Sequence, residues 1–259
     1  MLLEVKDLNI SLTSGKSVVE HISFRLGQGE MLSIVGSSGA GKTTICKAIM
    51  GLLGNAYRAD GEILFQAENL LNLPERKRQA IYGKEICLIM QNPMTAFNPS
   101  IRVGRQLEKT YLLHHGKTPK QEMQRLFAGI LQRLGLEDTQ RILNSYPFTL
   151  SGGMLQRLMI AAALMCQPSL LVADEATTAI DACNRIGLMR ELKSFCKDGM
   201  SVLFVTHDLR SASVSDRILV MDRGRIVEQG KTEQILNTPK EDYTKYLLNA
   251  CRLERREMS

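Results

Sequence analysis

The sequence predicts an α/β fold: a mostly parallel sheet, an antiparallel β portion at the N-terminus, and an α-helical segment inserted between strands of the sheet. Three observations carry this prediction. Apolar, β-branched-rich runs recur as MLSIV (31–35), EICLIM (85–90), SLLVAD (169–174), SVLFVTH (201–207) and RILVMD (217–222). Strands of this kind belong to sheets covered on both faces. Near the N-terminus, LLEVKDLNISL, HISFRL and EILF (62–65) read as strands of an antiparallel portion. From about Asn92 to Gln167 strand signals stop, and Met123, Leu126, Phe127, Ile130, Leu131 and Leu134 recur at helical spacing.

Within that segment, Thr118, Pro119 and Gln121 are expected as N-cap, first helical residue and N3 of a helix that Gly135 can end. From about Thr238, Tyr243, Tyr246, Leu247 and Leu248 precede the charged end RLERREMS, which predicts a short terminal helix that frays. No internal repeat or low-complexity linker is present.

A length of 259 residues suffices for a substantial core, and 44% hydrophobic with 23% charged residues argues against intrinsic disorder. The six cysteines form no CxxC pair, so neither a zinc site nor a disulfide framework is suggested and the chain reads as reduced and cytosolic. Glu4, Lys6 and Asp7 break the N-terminus, unlike a signal peptide. The longest apolar run, LMIAAALMC (158–166), falls short of the roughly 20 residues that span a bilayer. The net charge of +6 is compatible with nucleic acid, an anionic membrane surface or nucleotides. No long Lys/Arg tract accompanies it, so a modestly basic solvated surface is the plain reading.

The chemistry concentrates at sheet edges. GSSGAGKTT (36–44) fits G-x-x-x-x-G-K-[ST] between a strand and a plausible helix, the arrangement of a P-loop NTPase core. Gly36, Gly39 and Gly41 leave room for backbone N–H groups to face phosphate oxygens, with Ser37, Ser38, Ala40 and Thr44 completing the cradle. Lys42 would neutralise β/γ-phosphate charge and Thr43 would ligate Mg²⁺. Asp174 and Glu175 stand at the carboxyl end of an apolar strand, where α/β sheets bind ligands. Asp174 is expected to hold Mg²⁺, and Glu175 to orient and deprotonate the attacking water. His207 closes another strand at the same edge and is expected to contact the γ-phosphate. Ser151, Gly152 and Gly153 open a second glycine-rich helix, again suited to phosphate through free N–H groups. Either that start caps its own helix, or it reaches the nucleotide of another chain.

GSSGAGKTT, Gln91 after EICLIM, LSGGMLQR (150–157), LLVADEATTAID (170–181) and His207, in this order, closely resemble the nucleotide-binding subunits of ABC transporters over nearly the whole chain. The resemblance implies that Ser151, Gly152 and Gly153 clamp the γ-phosphate across an ATPase dimer. It also implies that Gln91 senses Mg²⁺ and water, and that Asp181 lies in the loop coupling the two sites. It divides the chain into a discontinuous ATP-binding core (1–91 and 168–237), a helical signature subdomain (92–167) and a C-terminal helical tail (238–259).

IMQNPMTAFNPS (89–100), YPFTLSGGMLQR (146–157) and TPKEDYTKYLL (238–248) are similar to the peptide and nickel importer branch, with QNPMTAFNP and SGGMLQR more similar to nickel importer ATPases than to most peptide ones. That branch implies ATP and Mg²⁺, a second ATPase subunit that is often a different chain, two membrane permeases and an external solute-binding protein. It places the subunit on the cytoplasmic face of the inner membrane, with solute choice (nickel, a metal–metallophore complex or peptide) made elsewhere. Met94 and Phe97 are the expected apolar anchors for a permease.

Three positions depart from the family pattern. The first 23 residues contain no Phe, Tyr or Trp, so the aromatic expected to stack on adenine near Thr13–Lys16 is missing. Ala176 replaces the usual proline after the acidic pair, and the tail carries only Cys251, so no iron–sulfur cluster is expected. The rival readings are an ABC-type ATPase acting on nucleic acid or ribosomes, favoured by charge alone, and a nucleotide-binding structural partner without turnover, which Glu175 and His207 weaken.

Overall fold

The computed structural model describes residues 1–90, 92–175 and 182–257. Strands β1 (Leu3–Leu12) and β2 (Ser17–Leu26) pair antiparallel. Their buried residues are spaced 3, 5, 8, 10 and 19, 22, 24, 26, so strict alternation fails once in each strand. The slip in β1 is a register shift between Val5 and Leu8, beside Asp7 at φ 45°, and His21 in β2 stands at φ 51°. The two residues face each other, with His21 Nδ1 2.7 Å from Asp7 Oδ1. Irregularities on both strands thus return the apolar residues to one face.

The chain then enters a second sheet through β3 (Met31–Val35), leaves through α1 (Lys42–Ile49), and returns to the first with β4 (Tyr57–Phe65) and β5 (Glu68–Asn69). Helix α2 (Glu75–Ile81) leads to β6 (Ile86–Ile89). Helices α3 (Val103–His115), α4 (Lys120–Arg133), α5 (Thr139–Asn144) and α6 (Gly152–Met165) follow in succession. The remainder is β7 (Leu170–Asp174), α7 (Ala182–Cys196), β8 (Ser201–Thr206), α8 (Leu209–Ala212), β9 (Arg217–Asp222), β10 (Arg225–Lys231), α9 (Thr232–Asn237) and α10 (Asp242–Glu257).

The second sheet has the order β10-β9-β3-β8-β7-β6, and only β10 runs antiparallel to its neighbour. Both faces of the parallel strands are covered, which is why β3, β6, β7 and β8 are mostly apolar. Leu32, Ile34, Leu203, Val205 and Val172 face the core shared with α1 and the antiparallel sheet. Met31, Phe204, Leu171, Ala173 and Ile89 face the core built by α3, α4, α6 and α7. Because β3, β6, β7 and β8 are parallel, their carboxyl ends open on one edge, where the loop after β3, Asp174, Glu175 and His207 lie.

The structure corrects three local expectations. Helix α4 starts one residue later than Thr118 implies: Pro119 itself occupies the cap position with an extended ψ of 132°, and no side chain caps the helix. Phe97 is no exposed anchor. It is buried in the helical core, because the turn Pro93–Thr95 rests against α6 and carries the following residues inward. Met94 does remain 59% exposed, and Met90 and Ile101 are exposed as well. The terminal helix is not short: α10 has 16 residues and packs Tyr243, Leu247 and Leu248 against a small core beneath β3 and β9. No helix among the described residues is long and apolar enough to cross a membrane.

Candidate nucleotide site

The loop after β3 is shaped by crowding at its ends and by conformation in its middle. A Cβ on Gly36 would lie 2.2 Å from the carbonyl oxygen of Met221, so only glycine lets β3 leave the sheet beside β9. Gly41 caps α1 at φ 95°, and a Cβ there would press on Val18 O and Val19 Cγ2, each at 3.0 Å. Gly39 has open space around it but stands at φ 82°, a left-handed conformation that glycine adopts without strain. Between these fixed points Ser37, Ser38 and Gly39 are exposed, whereas Ala40, Gly41 and Lys42 are buried.

Two features fit this loop to a phosphate group. Helix α1 has no side-chain N-cap and no acidic residue in its first turn, so its opening amides and the positive end of its dipole are left for an external anion. Lys42, only 5% exposed, curls back so that Nζ donates to Gly36 O at 2.7 Å and Ser37 O at 2.8 Å. Burial pushes its pKa down, against the pull of Glu175 and Asp174. An anion arriving at the loop relieves that desolvated cation.

Asp174 and Glu175 arrive from β7. The Thr43 hydroxyl donates to Asp174 Oδ1 at 3.2 Å, bringing the two expected Mg²⁺ ligands together. Burial raises the pKa of Asp174 despite that hydrogen bond, which suits a carboxylate awaiting a cation. A hydroxyl and a half-buried carboxylate form a hard oxygen donor set of the kind Mg²⁺ prefers. Glu175 stands at φ 48°, with its amide held by Val205 O at 2.9 Å. Its Oε1 lies 3.2 Å from His207 Nδ1, which joins the ends of β7 and β8.

The His207 turn is secured by residues the motifs do not announce. Asp208 caps α8, accepting the amides of Arg210 and Ser211 and the Ser211 hydroxyl, and it pairs with Arg185 at 3.2 Å. Burial alone would raise its pKa, but the Ser211 hydroxyl, the Arg210 amide and Arg185 together hold the carboxyl below the usual aspartate range. An Asp ahead of a short helix is a recognisable cap signal. Arg185 carries no local signal.

At the second glycine-rich start, Ser151 caps α6, its Oγ accepting the Met154 amide at 3.3 Å. A Cβ on Gly152 or Gly153 would meet nothing within 4 Å, and neither residue has a positive φ. Ser151 and Gly152 are exposed. Gln91, Ala176 and Asp181 lie outside the described residues.

The family model of ABC transporters matches residues 19–178. The ATP-binding protein of the metal-staphylopine import system of Staphylococcus aureus strain Mu50 is 40% identical over 251 residues, covering 96% of this chain and 92% of that protein. An oligopeptide transport ATP-binding protein of Bacillus subtilis strain 168 is 41% identical, covering 95% of this chain and 71% of its own length. A dimeric ATP-binding cassette in a post-hydrolysis state, bound to ADP and Pi, superposes with a TM-score of 0.78 at 26% identity, covering 89% of this chain and 99% of that one. With a nucleotide loop, an acidic strand end and a histidine converging on one sheet edge, and with relatives matched along nearly its full length, this chain belongs to the ABC transporter family as an ATP-hydrolysing subunit.

Proposed function

We propose that this chain energises an importer of metal–metallophore complexes, nickel or peptides, with ATP closing an ATPase dimer and hydrolysis resetting it. The observation that carries the dimer is the start of α6: a side chain added at either glycine would meet nothing within 4 Å among the described residues, and Ser151 and Gly152 are exposed. The other half of that site is then the nucleotide of the partner ATPase, expected to be a different chain, with a homodimer as the alternative. The 40% identity to the metal-staphylopine relative supports metal–metallophore cargo, and the 41% identity to the oligopeptide relative keeps peptide beside it.

In this reading, residues Gly36–Thr44 bind the triphosphate and Lys42 trades its two carbonyl partners for phosphate oxygens. Thr43 and Asp174, with Gln91, would hold Mg²⁺, which neutralises phosphate charge when bound. Glu175 accepts a proton from the attacking water, and His207 faces the γ-phosphate while bonded to Glu175. Ser151, Gly152 and Gly153 serve the opposite site, and Asp181 links the two. Two permeases and an external solute-binding protein complete the complex on the cytoplasmic face of the inner membrane. Neither nucleic acid nor an iron–sulfur cluster has a role.

Purifying the tagged chain from membranes and identifying its companions tests this. The expected result is two permeases, a second ATPase and ATP turnover stimulated by a loaded solute-binding protein. Recovery with ribosomes or nucleic acid instead would overturn the proposal.

A further inference from the structure

The nucleotide loop touches a residue from the far end of the chain. The Ser37 amide donates to the hydroxyl of Tyr243 at 3.1 Å, across 206 positions of sequence. That amide belongs to the same peptide group as the Gly36 carbonyl, which accepts from Lys42 Nζ at 2.7 Å. One peptide plane therefore has the tyrosine on its N–H side and the loop lysine on its C=O side. Tyr243 lies in the first turn of α10 and packs against the cluster containing Val35, the residue that ends β3.

The start of α10 is held independently. Glu228 on β10 accepts the amides of Lys240 at 2.9 Å and Glu241 at 3.2 Å. Further along, Arg210 of α8 donates to the carbonyl of Cys251. Helix α10 thus bridges β10 and the helix that follows His207, and presents its tyrosine to the loop between.

We infer that Tyr243 is a positioning residue of the nucleotide site: its hydroxyl fixes the Gly36–Ser37 peptide that opens the loop, making α10 with its Glu228 anchor a working part of nucleotide binding. Ser37 sits in an exposed stretch of the loop, so without that hydroxyl its peptide keeps the Lys42 contact on the carbonyl side and opens its amide side to water. Order held before binding is order the nucleotide need not impose.

This rests on the reading that residues 36–44 bind the triphosphate, and the test separates the two. Affinity for a fluorescent ATP analogue with Mg²⁺ is measured on the full chain by equilibrium titration, alongside thermal melting and amide hydrogen exchange at Ser37. Loss of one neutral hydrogen bond predicts about fivefold weaker binding for Tyr243→Phe, with melting close to the parent. Glu228→Gln should weaken binding in the same direction, and should add little once Tyr243→Phe is present, because it acts through the tyrosine. Unchanged affinity in Tyr243→Phe alongside a lowered melting temperature would make the contact a helix fastening only and overturn the inference. A Ser37 amide that exchanges in the parent as fast as an open loop would overturn it without any variant. Lys42→Ala is the reference: if it too leaves affinity unchanged, the site reading fails, whereas if it alone weakens binding, only the role of Tyr243 fails.

Discussion

The two glycine-rich helix starts use the same residue type for opposite reasons. Around Gly36 and Gly41 the chain itself crowds in, through Met221 O at one and Val18 O at the other. A side chain added at Gly152 or Gly153 would meet nothing within 4 Å among the described residues. The first is a finished cradle, whose glycines are required by the fold that surrounds them. The second is a surface whose glycines are not required by the chain around them, which is why we propose that a partner approaches there. A motif alone does not separate these cases. The space around each missing side chain does.

The largest expected effect is chemical and freezes the comparison in place. Glu175→Gln should lower hydrolysis on the order of 10²-fold or more while leaving ATP binding intact, because it removes the proton acceptor and retains the phosphate contacts. Single-turnover hydrolysis beside nucleotide titration checks it, and parental turnover would remove Glu175 from that role. In this slowed background, Gly153→Asp should abolish ATP-driven association, since a carboxylate would meet the partner's γ-phosphate. Nucleotide affinity of the isolated subunit should stay near the parent value. Retained association by light scattering would make α6 a simple capped helix.

Stability gives the next contrast. Gly36→Ala should cost about 2–4 kcal/mol in denaturant unfolding because backbone must move, whereas Gly152→Ala should stay within about 0.5 kcal/mol of the parent. Equal costs would dissolve the distinction drawn here. Phe97→Ser should likewise destabilise by about 3 kcal/mol, while Met94→Ser, on the exposed rim, should spare the fold and weaken permease association in a pull-down.

The smallest effect is a pH dependence near the first site. The Asp208 carboxyl lies below its ordinary value of 3.8 in the folded chain, so its contribution to stability is complete above that value and is lost as pH falls through the folded pKa. Melting temperature of Asp208→Asn should therefore fall below the parent at neutral pH, and the gap should narrow on acidification below about pH 4. A gap that stays constant would place the role of Asp208 in shape rather than charge.

Much of this was legible in the sequence where one local cause sufficed. Apolar runs such as MLSIV and SVLFVT declare strands buried on both faces, and the P-loop pattern brings its strand, turn and helix with it. What stayed hidden depends on partners remote in sequence. The bulge at Asp7 is matched by an irregularity at His21, and neither residue announces the other. Phe97 looks like a surface aromatic in a polar loop until α6 is in place beneath it. Tyr243 reads as one apolar tooth of a terminal helix, and nothing near it indicates that its hydroxyl reaches Ser37.

The contact beneath Gly36 also carries a genetic consequence. The atom that excludes a side chain there is the backbone oxygen of Met221, which every amino acid brings to that position. A second mutation at residue 221 therefore has no means of making room. A selection for revertants of Gly36→Ala should return the original glycine, with no compensating allele at residue 221.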